Sequence, residues 1–389
     1  MATLELKEYS TVSIPKENLD KAVGEVLWRN YREKIDITFP SPATSDNWNL
    51  TSKGWVGHIP VTEDLSLSLI PKVSISNLFR MLEYAYNLES FKFIDGLIGC
   101  DSIHEFYDRL ANILSLKILE RSRRGFYRAY DPITTNLPFL RGRLDIQRAL
   151  RQPWATDLLC HYEEHTGDIE ENQILSWTLR KIARSSMCSM RVIPKVRRAY
   201  RSLQGFTSLV AIQPEACTNR LYNRLNADYE PIHALCRFFL DNSGPTHKTG
   251  DKTFIPFVVN MANLFELFVA EWLKNHLPPN LKLKFQDKVS LNSWNEFKID
   301  IVIYDTVSDD PVCVIDVKYK TAESPSTDDI AQVVAYAEAK NCRNAILIYP
   351  TKLPKPLDNL VGRNRVRTLW FEIDSDINEA GKVLLEMII

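Results

Sequence analysis

Two short apolar runs constrain this chain most. Phe297-Lys-Ile-Asp-Ile-Val-Ile-Tyr304 and Val312-Cys-Val-Ile-Asp-Val-Lys-Tyr319 have the length and apolar weight of buried strands and flank a polar turn. A lone charge in such an interior is costly. Yet Asp300 lies inside the first run, and Asp316 and Lys318 lie inside the second. Side chains alternate along a strand, so Asp316 and Lys318 leave on the same face. A carboxylate pair beside a lysine can hold a divalent cation against a phosphodiester. The bland reading of Asp-x-Lys is a surface ion pair, but the apolar Val312-Cys-Val-Ile315 ahead of this one reads as a central strand.

At 389 residues the chain is long for one core, so two or three domains are expected. A formal net charge of −1 gives no global pull toward nucleic acid, so any such contact must come from local patches or a partner. The seven cysteines are scattered without a CxxC pair, which excludes zinc-ribbon and thioredoxin readings. Their odd number and the lack of a signal peptide make a reducing cytoplasm the expected location. The longest apolar runs are too short to span a bilayer, so no membrane partner is expected. His161 and His165 are four apart, but Glu163, Glu164 and Gly167 around them favour a solvated turn over a metal site.

The periodicity changes twice. Residues 1–75 read as a β-rich module, with strand-like pieces at 12–15, 55–60 and 65–70 and no helical periodicity over much of its length. Residues 76–255 read as mainly helical, with helices at 78–86, 103–119, 171–183 and 221–240 and a β interruption at 127–144. Residues 256–389 open with a helix at 260–277. Strands are expected at 282–289, 297–304, 312–319, 345–349 and 367–373, with one helix at 327–340 led by the capping pattern Ser326-x-x-Asp329. The expected class is a multidomain α+β or α/β fold ending in a mixed sheet.

Phosphodiester hydrolysis needs a placed water, a counter-charge for the phosphorane and a stabilised leaving oxygen. Mg²⁺, with Mn²⁺ as a substitute, can serve all three, and it prefers carboxylate oxygens. Asp300 and Asp316 are the expected ligands, with the backbone carbonyl of Val317 as a further one. Lys318 can orient water or meet the phosphorane charge. Glu266 and Glu271 both border the apolar stripe of the 260–277 helix, and periodicity does not choose between them. Gln332 and Tyr336, four apart on a helix, stand one above the other, toward the metal site or a DNA backbone.

Asp300…Ile315-Asp316-Val-Lys318 with Gln332-x-x-x-Tyr336 resembles the PD-(D/E)xK nuclease core. Gly57-His-Ile-Pro-Val, Leu69-Ile-Pro-Lys-Val73, Leu78-Phe-Arg-Met-Leu-Glu-Tyr-Ala85, Phe139-Leu-Arg-Gly-Arg-Leu144, Glu170-Glu-Asn-Gln-Ile-Leu175 and Asn263-Leu-Phe-Glu266 resemble the McrC family, the nuclease subunit of McrBC 5-methylcytosine restriction systems. The resemblance runs from about residue 55 onward and departs at Ile299, where the core pattern has proline. It implies catalytic roles for Asp300, Asp316, Lys318 and Glu266. It further implies cleavage of methylated double-stranded DNA and a partner AAA+ GTPase ring of the McrB kind, which the N-terminal module, residues 1–75, binds and whose GTP hydrolysis the subunit stimulates. The chain has no G-x-x-x-x-G-K-[ST] of its own. Two other functions compete: a McrC-like nuclease serving a different motor, and an adaptor that stimulates the motor without cutting.

Two segments are locally basic. Residues 117–128 hold Arg121, Arg123, Arg124 and Arg128, and residues 191–201 hold Lys195, Arg197, Arg198 and Arg201 without an acid. Each reads equally as a phosphate or partner contact and as a solvated helix face. Arg141 and Arg143 around Gly142 carry the same two readings.

Overall fold

The computed structural model describes residues 2–62, 65–86, 102–244, 247–249, 252–290 and 296–389. By contact the chain forms two units, Met1–Phe106 with Gly244–Ile389, and Tyr107–Ser243. Thus α2 (Ile75–Ala85 below) and residues 244–255, read from sequence with the helical middle, group with the first unit.

The first unit opens with β1 (Ala2–Lys7), β2 (Thr11–Pro15), α1 (Lys21–Tyr31), β3 (Ile35–Thr38), β4 (Asn47–Ser52), β5 (Trp55–Pro60), β6 (Leu65–Ile70) and α2 (Ile75–Ala85). β2, β4 and β3 form an antiparallel sheet. Leu27 and Tyr31 of α1 pack in one core with Ile35, Trp48 and Leu50. α1 is a helix that the reading of residues 1–75 as β-rich did not include. Gly24 and Asn30 dilute its signal, while the Asp20 side chain caps it by accepting from Ala22 N–H.

In the second unit α3 (Ile103–Arg124) ends at Gly125, whose φ of +89° is that of a helix-terminating glycine. β7 (Ala129–Leu137), β8 (Arg143–Leu144), α4 (Ile146–Arg151) and β9 (Leu158–Thr166) follow, the strands pairing in the order β7-β9-β8. His161 and His165 therefore stand on a strand rather than in a turn. His161 Nδ1 lies 2.9 Å from Thr134 Oγ1, a cross-strand contact and not a metal site. α5 (Glu170–Arg184), α6 (Ile193–Leu203) and α7 (Tyr229–Asp241) complete the unit. Residues 221–223 have no regular structure and 224–228 are turns, not the start of α7 as expected. The Glu170-Glu-Asn-Gln motif is a structural hub. Buried Asn172 donates to the Tyr127 and Gly167 carbonyls at 2.9 and 2.8 Å and accepts from Tyr229 Oη at 2.7 Å. Arg220 ties Glu170 and Glu171 at 2.6 and 2.8 Å.

The chain then returns to the first unit through β10 (His247–Thr249), β11 (Lys252–Phe254) and β12 (Phe257–Asn260). β12 pairs with β5 to complete a sheet ordered β1-β6-β5-β12. It leads directly into α8 (Met261–His276), and then come β13 (Leu281–Ser290), β14 (Glu296–Asp305), β15 (Pro311–Val317), α9 (Thr327–Ala339), β16 (Asn344–Tyr349), β17 (Asp358–Val361), β18 (Asn364–Trp370) and α10 (Ile377–Ile388). The six strands order as β13-β14-β15-β16-β18-β17. β13, β14 and β15 are antiparallel neighbours, whereas β15, β16 and β18 run parallel. α9 packs on β15, β16 and β18, burying Val314, Val333, Ala337 and Leu347 together. The last expected strand, 367–373, is displaced three residues toward the N-terminus, and α10 was not expected. Among the described residues no helix is long and apolar enough to cross a membrane.

Candidate active site

Register brings the two aspartates together. β14–β15 pairing ends at Ile301 opposite Ile315, and one further step along each strand sets Asp300 against Asp316. Past that point Val317 N–H donates to Asp300 Oδ2 at 2.8 Å. Lys318 N–H donates to the Ile348 carbonyl of β16 at 2.8 Å. The end of β15 is thus held by a strand on one edge and by the Asp300 carboxylate on the other.

Lys318 Nζ sits 2.6 Å from Asp316 Oδ2 and donates to Gln332 Oε1 at 2.8 Å. Gln332 Nε2 donates in turn to Tyr336 Oη at 2.8 Å, and the Phe297 ring meets Tyr336 edge-on at 5.2 Å. The i, i+4 pair on α9 therefore buttresses the lysine. Asp316 is 1% exposed, and its Oδ2 has the Lys318 charge beside it but no well-aligned hydrogen-bond donor. The contact is an ion pair, leaving a buried oxygen with spare acceptor capacity.

The structure separates the two helical glutamates. Glu271 pairs with Lys274 at 3.4 Å. Glu266 Oε1 instead accepts from Gln286 Nε2 at 3.3 Å and lies in the field of Asp300. Gln286 falls opposite Asp300 in the β13–β14 register, between the pairs Phe285–Ile301 and Asp287–Ile299, and has a φ of +51°. A non-glycine residue in this region inside a strand is a local kink that re-aims a side chain.

Burial and mutual repulsion disfavour the carboxylate charges. Burial, then the charge of Asp300, pushes Glu266 and Asp316 up to about 7. Asp300 is raised too, by burial opposed by the Val317 N–H and Lys318. Burial also works against the Lys318 charge, but Asp316, Asp300 and Asp329 outweigh it and raise the ammonium. A site holding three such carboxylates and one lysine lacks positive charge. Among the described residues no three His, Cys, Asp or Glu side chains converge into a ready cage for an ion. Mg²⁺ does not require one, because it commonly takes one or two carboxylates and completes its shell with water and phosphate. Asp300 and the under-satisfied Asp316 fit that demand.

Three neighbours escaped the sequence reading. Gln286 left no periodic signal. Asp329 read only as a capping residue, and it does bond Ser326 N–H, but its Oδ2 also lies 2.5 Å from Lys320 Nζ and accepts from Tyr349 Oη at 3.2 Å. Tyr319 donates to Glu8 Oε2 at 3.4 Å, an oxygen that also accepts from Lys72 N–H at 3.2 Å. The end of β1 is thereby tied to the residue after Lys318. Long-range pairs of this kind leave no spacing to read.

Comparison with known proteins accords with this architecture. A family model described as McrBC 5-methylcytosine restriction system component matches residues 50–350. The type IV methyl-directed restriction enzyme EcoKMcrBC of Escherichia coli K12 is 24% identical over 265 residues, 64% of this chain and 74% of the relative. The assembly of Thermococcus gammatolerans McrB AAA+ hexamers with bound McrC contains a chain of similar fold. The two align over 100% of both chains with a TM-score of 0.56 and 17% identity. With most of its length matched, this chain belongs to the McrBC 5-methylcytosine restriction system component family.

Proposed function

We propose that Asp300, Asp316 and Lys318 form the centre of a Mg²⁺-dependent DNA endonuclease with a PD-(D/E)xK-type core. The observation that carries this reading is Asp316, a 1%-exposed carboxylate facing Asp300, whose buried Oδ2 has only the Lys318 ammonium beside it at 2.6 Å. When bound, Mg²⁺ would supply Lewis acidity to the phosphate and a more acidic water. Asp300, Asp316 and the Val317 backbone would hold it, with Glu266 as a further carboxylate. Lys318 keeps its charge at neutral pH and presents it, steadied by Gln332 and Tyr336, to the attacking water or the phosphorane. Gln286 fixes Glu266.

The partner follows from the Thermococcus gammatolerans assembly, in which McrC is bound to McrB AAA+ hexamers. A chain without a phosphate-binding nucleotide loop needs such a motor from outside. Tyr130, Phe139, Leu140, Ile146, Leu150 and Trp154 are exposed within one short stretch, Trp154 at 78%. Apolar exposure of this density marks a protein-binding surface, and we assign it to the AAA+ ring. Residues 1–75, expected to make this contact, expose only Tyr9 and Trp28 as large apolar side chains among their described positions.

The test is cleavage of methylated and plain duplex with Mg²⁺, GTP and the co-encoded AAA+ protein, each omitted in turn. Cutting that needs every component is expected. Stimulated GTP hydrolysis without any cut would leave the adaptor reading instead. A second expectation concerns positioning. Gln286→Leu should cost about 10–100-fold in cleavage, the usual penalty for losing a residue that orients a ligand. Mg²⁺ titration of the rate checks it, and an unchanged curve would remove Gln286 from the site.

A further inference from the structure

From Asn172 to Pro214 the chain has no aspartate or glutamate and eight lysines and arginines, in a molecule of net charge −1. Charge this segregated is not average surface. α6 buries Val196, Ala199 and Leu203 and turns Lys195, Arg197, Arg198 and Arg201 outward, all exposed. Arg184 ends α5, Arg191 leads into α6, and both are exposed as well. The partners these side chains have are neutral: Lys195 Nζ donates to Asn112 Oδ1 at 2.8 Å and Arg201 Nε to the Arg197 carbonyl at 3.3 Å. Among the described residues no carboxylate pairs with any of the six.

Lys195–Arg198 and Arg198–Arg201 are i, i+3 pairs and Arg197–Arg201 is an i, i+4 pair, each of which costs an isolated helix about 0.2–0.5 kcal/mol in repulsion. The buried stripe of α6 offsets that cost, and an anion along the outward face would relieve it. Two features favour phosphate over an acidic protein face. Arginine outnumbers lysine six to two in the segment, and its planar fork matches phosphate oxygens. Large aromatic anchors, which dominate protein interfaces, are missing among the exposed side chains of this segment, whose exposed large apolar residues are Met190, Leu209 and Val210. They gather instead at Tyr130–Trp154 in the same unit.

We propose that the outward face of α6, flanked by Arg184 and Arg191, is a sequence-independent docking surface for the phosphate backbone of double-stranded DNA. It rests on the reading that the chain acts on DNA, and it explains how a nearly neutral subunit engages duplex outside its catalytic cluster. The test uses the full-length protein in EDTA and a labelled unmethylated duplex, with anisotropy followed over a KCl series. In the triple variant R197Q/R198Q/R201Q the slope of log affinity against log salt should shrink by about 2–3, at about 0.9 per lost phosphate contact. The triple Arg→Lys variant should keep the slope. Relieved of like-charge repulsion, the Gln variant should melt no lower than the parent. If it does melt lower, R184Q/R191Q carries the same expectation with a drop of about 2. An unchanged slope overturns the proposal. So does a Gln variant that binds duplex normally but loses the AAA+ partner, which would give the face to an acidic protein surface. If Asp316→Asn still cuts while the Gln variant loses its slope, the catalytic reading fails and this one stands.

Discussion

Asp316→Asn is expected to lower Mg²⁺-supported cleavage by at least about 10³-fold, the scale of losing a principal electrostatic element of a site, while making the metal-free protein more stable. Both effects have one origin. Asp316 is buried opposite Asp300, so its charge is desolvated and repelled, and its carboxyl titrates near about 7 instead of 3.8. That charge is tolerable only when a cation shares it. Asparagine has nearly the same shape and no charge. It gives up the ion pair to Lys318, but the lysine keeps its bond to Gln332 and a partly exposed head. The expected gain at pH 8 is on the order of 1–3 kcal/mol, the usual penalty of an imperfectly satisfied buried group.

The pH dependence has a definite sign. Between the ordinary value of 3.8 and about 7, the folded state holds a proton on Asp316 that the unfolded state has lost. Stability from this group is therefore full below about pH 4 and declines as pH rises through 7. Glu266, raised from 4.5 to about 7, adds a decline of the same sign. Thermal melts in EDTA from pH 4 to pH 8 should show Asp316→Asn near the parent at the acid end and above it at the alkaline end. Further flattening is expected when Glu266→Gln is added. A variant that cuts at the parent rate, or that melts below the parent at pH 8, contradicts the assignment.

The sheet that carries these residues was largely legible in the sequence. β14, β15 and β16 sit in the sheet interior, and such strands appear as unbroken apolar runs with recognisable ends. The charges within them stood out for the same reason. What the runs do not encode is register. That Asp300 faces Asp316, that Gln286 falls opposite Asp300, and that Glu266 rather than Glu271 turns inward all depend on pairings across the fold. The partner-facing and phosphate-facing surfaces divided differently. Residues 191–201 were visible as an acid-free run, but the outward direction of the charges needed the buried stripe of α6. The apolar residues of 130–154 carry no sequence signal of a surface, and only their exposure in the fold shows one. Short-range ambiguity explains the rest. α1 contains a glycine, and β9 carries enough charge to pass for a turn.

Gly57→Ala should damage the site from a distance, through backbone that cannot yield. Gly57 lies buried in β5 with a φ of +142°, a conformation L side chains rarely adopt. A Cβ there would stand 2.1 Å from the Phe257 carbonyl oxygen and 2.9 Å from Val258 Cα, both main-chain atoms of β12. The strain and the overlap each cost about 1–3 kcal/mol, so melting should fall by about 5–10 °C. β12 has no freedom to move alone. It runs straight into α8, whose first turn is capped by Asn260 and whose Met261 N–H is held by the Gly54 carbonyl at 3.1 Å. Glu266 sits in the second turn of that helix. Displacing β12 therefore shifts Glu266 against Gln286 and Asp300, and cleavage measured well below the melting point should fall by about 10²-fold, as misplacement near 1 Å can cause. Gly125→Ala is the matched control, since Gly125 also has a positive φ, +89°, but no atom within 4 Å of an added Cβ. That variant should lose only about 1 kcal/mol and cut normally. If Gly57→Ala behaves like Gly125→Ala, the β5–β12 contact does not set the position of α8, and the alignment of Glu266 must come from the six-stranded sheet alone.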